Sequence, residues 1–306
     1  MAIELLEKTL CGLEIGEPIT FGGMTVFPLK GSNPPREYVT LDEAMRDRLV
    51  EITELGSGGS VPELRLVNNG DRPIFLLDGE EVIGAQQNRV LNLSVLAPAR
   101  STQVIPVSCV EQGRWQVGQS QFQGGTQVHF ASGRARKMQR VSENMENGQG
   151  HRSDQSEVWS DIQGLFARLG GSSNTQAMAD AFAENLEEIE RYVSAFRRVP
   201  GQTGLVVALN GRIHGMDLFD SAETLRYLLP KIVRSWALEA IASGTKESRP
   251  VATGSLDKFL TQVKEANVSR QTAVGMGEDL RLSGPKLAGA ALSGFGRVVH
   301  LAAFCR

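Results

Sequence analysis

Residues 76–92, LLDGEEVIGAQQNRVLN, open as a buried strand and then fill with polar groups. Two leucines lead to Asp78, Glu80 and Glu81, and a short apolar step leads to Gln86, Gln87, Asn88 and Arg89. Side chains alternate across a strand. An unbroken strand from Val82 therefore puts Gln86, Asn88 and Asn92 on one face. Ile83, Ala85, Leu91, Leu93 and Val95 share the other, and Gln87 and Arg89 intrude on it. An arginine on a core face needs a partner. Either the strand bends or bulges over residues 86–88, or Arg89 pairs with Asp78, Glu80 or Glu81 across a turn at Gly79. Bulges recur beside active sites because they re-aim side chains. The structural alternative is a buried polar network that fixes register.

Outward from this stretch the first 118 residues read as β-rich. TVFPL, LVEITEL, ELRLVN, PIFLL, RVLNLSVL and TQVIPVSCV are short Val/Ile/Leu-rich runs separated by GSGGS, NNGDRP and LAPARS. NNGDRP predicts a tight hairpin, and TLDEAMRDRL predicts a helix with Thr40 and Glu43 as a capping box. Closely spaced strands with few helices point to a sandwich or a small barrel. Residues 119–306 are mixed. SQFQGGTQVHFASG and SENMENGQGHRSDQSE read as connectors, and helical patterns lie between and after them. Asn210-Gly211 marks a hairpin, and Pro230 should kink or break the amphipathic run around it. The expected fold is α+β: a β-rich N-terminal sandwich or small barrel packed with a mixed helical and β C-terminal part, in two parts or one continuous domain.

A second polar cluster closes the run VIPVSCVEQGRW, residues 104–115. Alternation sets Cys109 with Ile105 and Val107, as a core thiol rather than a nucleophile. Glu111, Gln112, Arg114 and Trp115 then crowd the strand end, as a polar ligand rim with Trp115 as a stacking surface, or as a turn with a solvated ion pair. Arg134, Arg136, Lys137 and Arg140 form a third, basic cluster, in which Arg136 and Arg140 share a helix face. It is either a phosphate grip or a solvated face.

The 306 residues carry 32 basic and 35 acidic side chains, a net charge of -3, which argues against a dedicated nucleic-acid binder. No run approaches the roughly 18 apolar residues of a membrane span. MAIELLEKTL lacks the basic start of a signal peptide, so the expected location is cytoplasmic and no membrane partner is expected. Cys11, Cys109 and Cys305 are odd in number and widely spaced, a pattern of reduced thiols. His129, His151, His214 and His300 are scattered without metal-ligand spacing, and P-loop, dinucleotide and nucleophile-elbow signatures are absent. Metal, cofactor and oligomeric state stay open. A structural oligomer, resting on residues 224–241 alone, ranks last among the readings.

LLDGEEVIGAQQNRVLN, VIPVSCVEQGRW, VWSDI, NGRIHGMDLFDSAETL and LLPKIVRSWALEA, in this order, resemble the ARG and rhodanese-phosphatase-superfamily-associated protein domain. The resemblance spans nearly the whole chain. It implies a role near ADP-ribose or NAD-derived nucleotides, beside ADP-ribosylglycohydrolases and rhodanese-like phosphatases. Asp78, Glu80, Glu81, Gln86, Asn88, Arg89 and Asn92 match the first motif, and Cys109, Glu111, Gln112, Arg114 and Trp115 the second. Two readings follow. In one the protein processes an ADP-ribose- or NAD-linked ligand, as a hydrolase with Glu80, Glu81 and Glu111 as catalytic carboxylates. There Arg89 and Arg114 hold phosphate, and Asp78, Gln86, Asn88, Asn92, Gln112 and Trp115 complete the ligand site. In the other it is a non-catalytic binding or scaffold module serving partner enzymes of ADP-ribose metabolism.

Overall fold

The computed structural model describes residues 2–56, 62–84, 86–114, 121–245, 247 and 249–306. Helix α1 (Ala2–Cys11) leads into strands β1 (Glu14–Ile15), β2 (Ile19–Phe21) and β3 (Met24–Lys30). Strand β4 (Val39–Thr40), helix α2 (Leu41–Arg46) and strands β5 (Val50–Glu54), β6 (Glu63–Asn68) and β7 (Ile74–Leu76) follow. Next come β8 (Glu80–Gly84), β9 (Arg89–Leu91), β10 (Val95–Ala97), β11 (Ser101–Cys109) and β12 (Phe122–Val128). Helices α3 (Ala131–Glu146), α4 (Gln155–Leu169), α5 (Met178–Glu184) and α6 (Leu186–Ala195) precede β13 (Gly204–Leu209) and β14 (Arg212–Phe219). The rest is α7 (Ala222–Ala242), α8 (Ser255–Lys264), β15 (Asn267–Thr272), β16 (Glu278–Gly284), β17 (Leu287–Gly294) and β18 (Arg297–Cys305). The fold is α+β.

Contacts divide the chain into two units. One comprises Met1–Arg36, Glu187–Ala273 and Gly277–Arg306; the other comprises Glu37–Leu186 and Val274–Met276. The composition change near residue 118 does not coincide with this division, because β8 and β12 pair across it in one sheet.

In the first unit an antiparallel sheet runs β1-β3-β13-β14-β18-β17-β16-β15, with β2 on β3. Leu29, Val206, Met216, Leu218, Leu282 and Leu301 line one face and pack with Leu6 and Leu10 of α1 and Phe259 and Val263 of α8. The Asn210-Gly211 turn joins β13 to β14, as its sequence dictates. Helix α7 continues through Pro230, which is half-exposed. His300 is no free base: its Nε2 lies 3.2 Å from buried Asp217 and its ring stacks on Phe219.

The second unit holds a small sheet, β10-β7-β4, and a larger one ordered β12-β8-β9-β11-β6-β5. The larger sheet curls until its outer strands meet, at a bridge between Thr53 and Gln121. Ile52, Leu64, Leu66, Val82, Leu91, Ile105, Val107 and Phe122 fill the inside of the curl. Thr40 and Glu43 cap α2 reciprocally, as a capping box should.

Two expectations are corrected here. NNGDRP does not make a hairpin, because β6 and β7 belong to different sheets. The Asn68 side chain turns the chain away by donating to the carbonyls of Arg72 and Pro98 and accepting from Gly70 N. SQFQGGTQVHFASG is not a connector, because it contains β12. Its glycines serve close approach: a Cβ on Gly125 would stand 2.9 Å from the Glu81 Cβ and carbonyl oxygen.

Candidate functional site

Strand β8 stops at Gly84, whose φ of 133° and 2.9 Å virtual-Cβ approach to the Gln121 carbonyl admit no other residue. The chain reverses and re-enters the sheet as β9, so that Val82 pairs with Arg89 and Arg89 with Cys109. Leu91 pairs with Val107 and lies inside the curl, which puts Arg89 and Cys109 two positions further along the same face. Glu54, two positions beyond buried Ile52 on β5, joins them. The sequence thus left two alternatives for Arg89, a break or a partner, and the structure has both. The partner is Glu54, not Asp78, Glu80 or Glu81.

The Arg89 side chain is 0% exposed, and its Nη1 donates to Gln87 Oε1 at 2.9 Å. Its Nη2 stands 3.7 Å from Glu54 Oε1, an ion pair longer than a hydrogen bond. Six buried atoms have no hydrogen-bond partner here among the described residues: Arg89 Nε and Nη2, both Glu54 carboxylate oxygens, Gln86 Oε1 and Trp159 Nε1. Each such group costs about 1–3 kcal/mol, and native interiors keep few of them. Burial pushes the Glu54 carboxyl above its usual range, against the pull of Arg89 and of the Gln86 backbone. The side chains of Glu54 and Arg114 are 12% and 27% exposed.

The second motif closes the cluster. The Cys109 thiol donates to Gln87 Oε1 at 3.1 Å and to the Glu111 carbonyl at 3.3 Å. Burial raises its pKa, and Arg89, the Glu111 backbone and Trp159 oppose this without reversing it. It is a protonated structural thiol. Gln87 Nε2 donates to the Glu111 carbonyl at 2.8 Å, and the Glu111 carboxylate accepts from Asn88 N at 3.1 Å and pairs with Arg114 at 2.7 Å. Arg114 also donates to Asn88 Oδ1 at 2.9 Å. From α4, the Gln155 amide accepts from Cys109 N and donates to Cys109 O, both at 2.8 Å, in the manner of an adjoining strand. Gln86, Gln87, Asn88 and Arg89 are therefore brought together with Cys109, Glu111 and Arg114. Gln112 is exposed, 3.4 Å from Gln163. Trp115 lies outside the described residues.

Asp78, Glu80, Glu81 and Asn92 hold other positions. Glu80 accepts from Leu77 N at 3.1 Å and fastens the turn between β7 and β8. Glu81 pairs in register with Val90, on the face opposite Arg89, and its carboxylate accepts from Gln127. Asn92 donates to the carbonyls of Val107 and His151 and accepts from Ser108. Asp78 is buried against Arg134, at 3.0 Å, and Lys137, which also reaches the Leu91 and Asn92 carbonyls. Burial raises its pKa, but the two cations outweigh burial and hold it below the usual carboxylate value. The basic helix is thus split: Arg134 and Lys137 face inward, while Arg136 pairs with Asp161 and Arg140 with Glu143 and Glu157. Open clefts of about 340 and 610 Å³ run along α3 and α4 and share Arg140, whose charge is already matched. Sequence reasoning missed Glu54, Gln155 and Trp159. Each lies far along the chain from the two polar motifs, Trp159 within VWSDI, and only strand register or helix docking brings it to them.

No group of three or more His, Cys, Asp or Glu side chains that could hold a metal ion exists among the described residues. Their helices include none long and apolar enough to cross a membrane. Fold and site define an α+β protein whose curled sheet carries a buried polar cluster, some of whose groups have no hydrogen-bond partner among the described residues. Residues 12–304 match the family model of the ARG and Rhodanese-Phosphatase-superfamily-associated Protein domain, and the chain belongs to that family. No curated protein and no solved structure matches it.

Proposed function

We propose that the protein binds a phosphorylated ribose ligand of the ADP-ribose or NAD type at the mouth of the curled sheet, and presents it to partner enzymes rather than transforming it. One observation carries the reading. Arg89 spends Nη1 on Gln87 and leaves Nε and Nη2 without a hydrogen bond among the described residues, Nη2 standing 3.7 Å from the Glu54 carboxylate. Those two N–H groups form the side-on fork of a guanidinium, which fits two oxygens of one phosphate. Arg114, whose charge Glu111 already matches, stands at the rim. The resemblance carried by the two polar motifs, which implies a role near ADP-ribose or NAD-derived nucleotides, supports this ligand class. Binding is favoured over turnover because Glu80 and Glu81 are engaged in turn and strand contacts away from Arg89, and Glu111 is held by Arg114 and Asn88. General acid–base work needs a carboxylate within reach of the ligand's reacting proton, and the three carboxylates expected to do it are held by other partners.

The test is incubation with ADP-ribose, NAD and inorganic phosphate, followed by thermal unfolding and by mass spectrometry of the ligand. The reading expects a rise in Tm with ADP-ribose that grows with ligand concentration, and an intact ligand. A hydrolysed ligand would establish the enzyme reading instead, and no shift with any of the three would overturn the ligand class.

A further inference from the structure

We infer that Glu54 is the selector for the ribose: its two carboxylate oxygens accept the hydroxyl protons of the sugar's vicinal diol. This rests on the ligand reading above and adds to it a residue that neither sequence motif contains. Among the described residues the mouth offers two donors without a hydrogen bond, Arg89 Nε and Nη2, and three such acceptors, Glu54 Oε1, Glu54 Oε2 and Gln86 Oε1, while the Trp159 indole is turned to Cys109. A phosphate, which offers acceptors only, answers the donors and leaves the acceptors bare. A ligand carrying acceptors at one end and hydroxyl donors at the other answers both sets. Two adjacent hydroxyls match the two oxygens of one carboxylate, which is acceptor-only when ionised.

The placement agrees with the chemistry. Glu54 Oε1 stands 3.7 Å from Arg89 Nη2, so phosphate and sugar contacts fall to neighbouring groups of one ligand. Glu54 is 12% exposed where Arg89 is 0% exposed, which puts the sugar contact on the entry side. A buried acceptor left bare by the wrong ligand carries an unmade hydrogen bond, and this asymmetry is the source of discrimination.

Titration calorimetry with two matched pairs decides the matter: ADP against 2′-deoxy-ADP, and ribose 5-phosphate against 2-deoxyribose 5-phosphate. The native protein should prefer the ribose member of at least one pair by on the order of tenfold or more. Glu54→Gln should lose that preference by weakening the ribose ligand several-fold more than the deoxy ligand, which keeps only one of the two hydroxyls, and Glu54→Asp should fall between. Equal binding of both members of each pair by the native protein overturns the role of Glu54 while leaving the ligand class standing. So does a Glu54→Gln protein that keeps the preference. Failure of all four, and of ADP-ribose, to bind overturns the ligand class itself. If Glu54→Gln does not fold, the native protein's preference and its change in Glu54→Asp carry the test.

Discussion

Arg89 and Glu54 face each other across the end of an apolar interior, and their separation fixes what each contributes. At 3.7 Å without a hydrogen bond, the pair gains part of its Coulomb attraction, while Glu54 bears the cost of leaving water. A carboxyl whose folded pKa is raised binds its proton more tightly in the folded state. Its effect on stability is therefore absent below the unfolded pKa, near 4.5, and becomes a penalty as pH rises through the folded value. Glu54→Gln should accordingly stabilise the protein at pH 7.5, with a smaller gain at pH 4.5, measured by urea unfolding at both. A larger loss of stability at pH 7.5 than at pH 4.5 would mean that the ion pair with Arg89 is net stabilising. The sequence exposed Arg89 as an intruder because one strand's alternation suffices to show it. It could not show Glu54, because register across two intervening strands, β11 and β6, leaves no local signal.

Local chemistry wrote some elements plainly. The capping box at Thr40 and Glu43 and the turn at Asn210 and Gly211 are each settled within a few residues. Strand β12 was hidden, because its glycines lower strand propensity while serving contact with Glu81. Two glycines in helices show the same split between local and tertiary demands. Gly164 in α4 has nothing within 4 Å of a Cβ, so Gly164→Ala should gain about 0.5–1 kcal/mol from helix propensity. Gly133 in α3 would place its Cβ 2.7 Å from Phe130 and 2.8 Å from the His129 ring, both anchored in the interior. Gly133→Ala should therefore lose about 1–3 kcal/mol despite the same propensity gain. Thermal unfolding of the two variants should move in opposite directions. A common direction would contradict the packing of α3 against His129 and Phe130.

Over the whole molecule, fold class was legible from strand density and helical periodicity, whereas the division into units was not. The chain leaves its first sheet after β3 and returns to it at β13, and no composition signal records that return. Acid sensitivity is also a property of the whole. Burial holds His129 neutral, with Lys137, Arg136 and Arg134 pushing the same way against Asp78, so its pKa lies well below 6.5. A depressed folded pKa gives stability that is present above the unfolded pKa and lost as pH falls through the folded one. Asp78 behaves likewise, but in a window below about 3.8. Stability to urea should therefore fall from about pH 6.5 downward, and His129→Gln should flatten the slope between pH 6.5 and 5. An unchanged slope would show that His129 is not the group responsible.

The central claim is that the Nε and Nη2 fork of Arg89 receives phosphate. Its most direct test is a calorimetric titration of ADP-ribose into the native protein and into Arg89→Lys, which keeps the charge and removes the fork. The account predicts saturable binding to the native protein and affinity weaker by on the order of tenfold or more in Arg89→Lys. Equal affinity in the two, or no binding by the native protein, would contradict it.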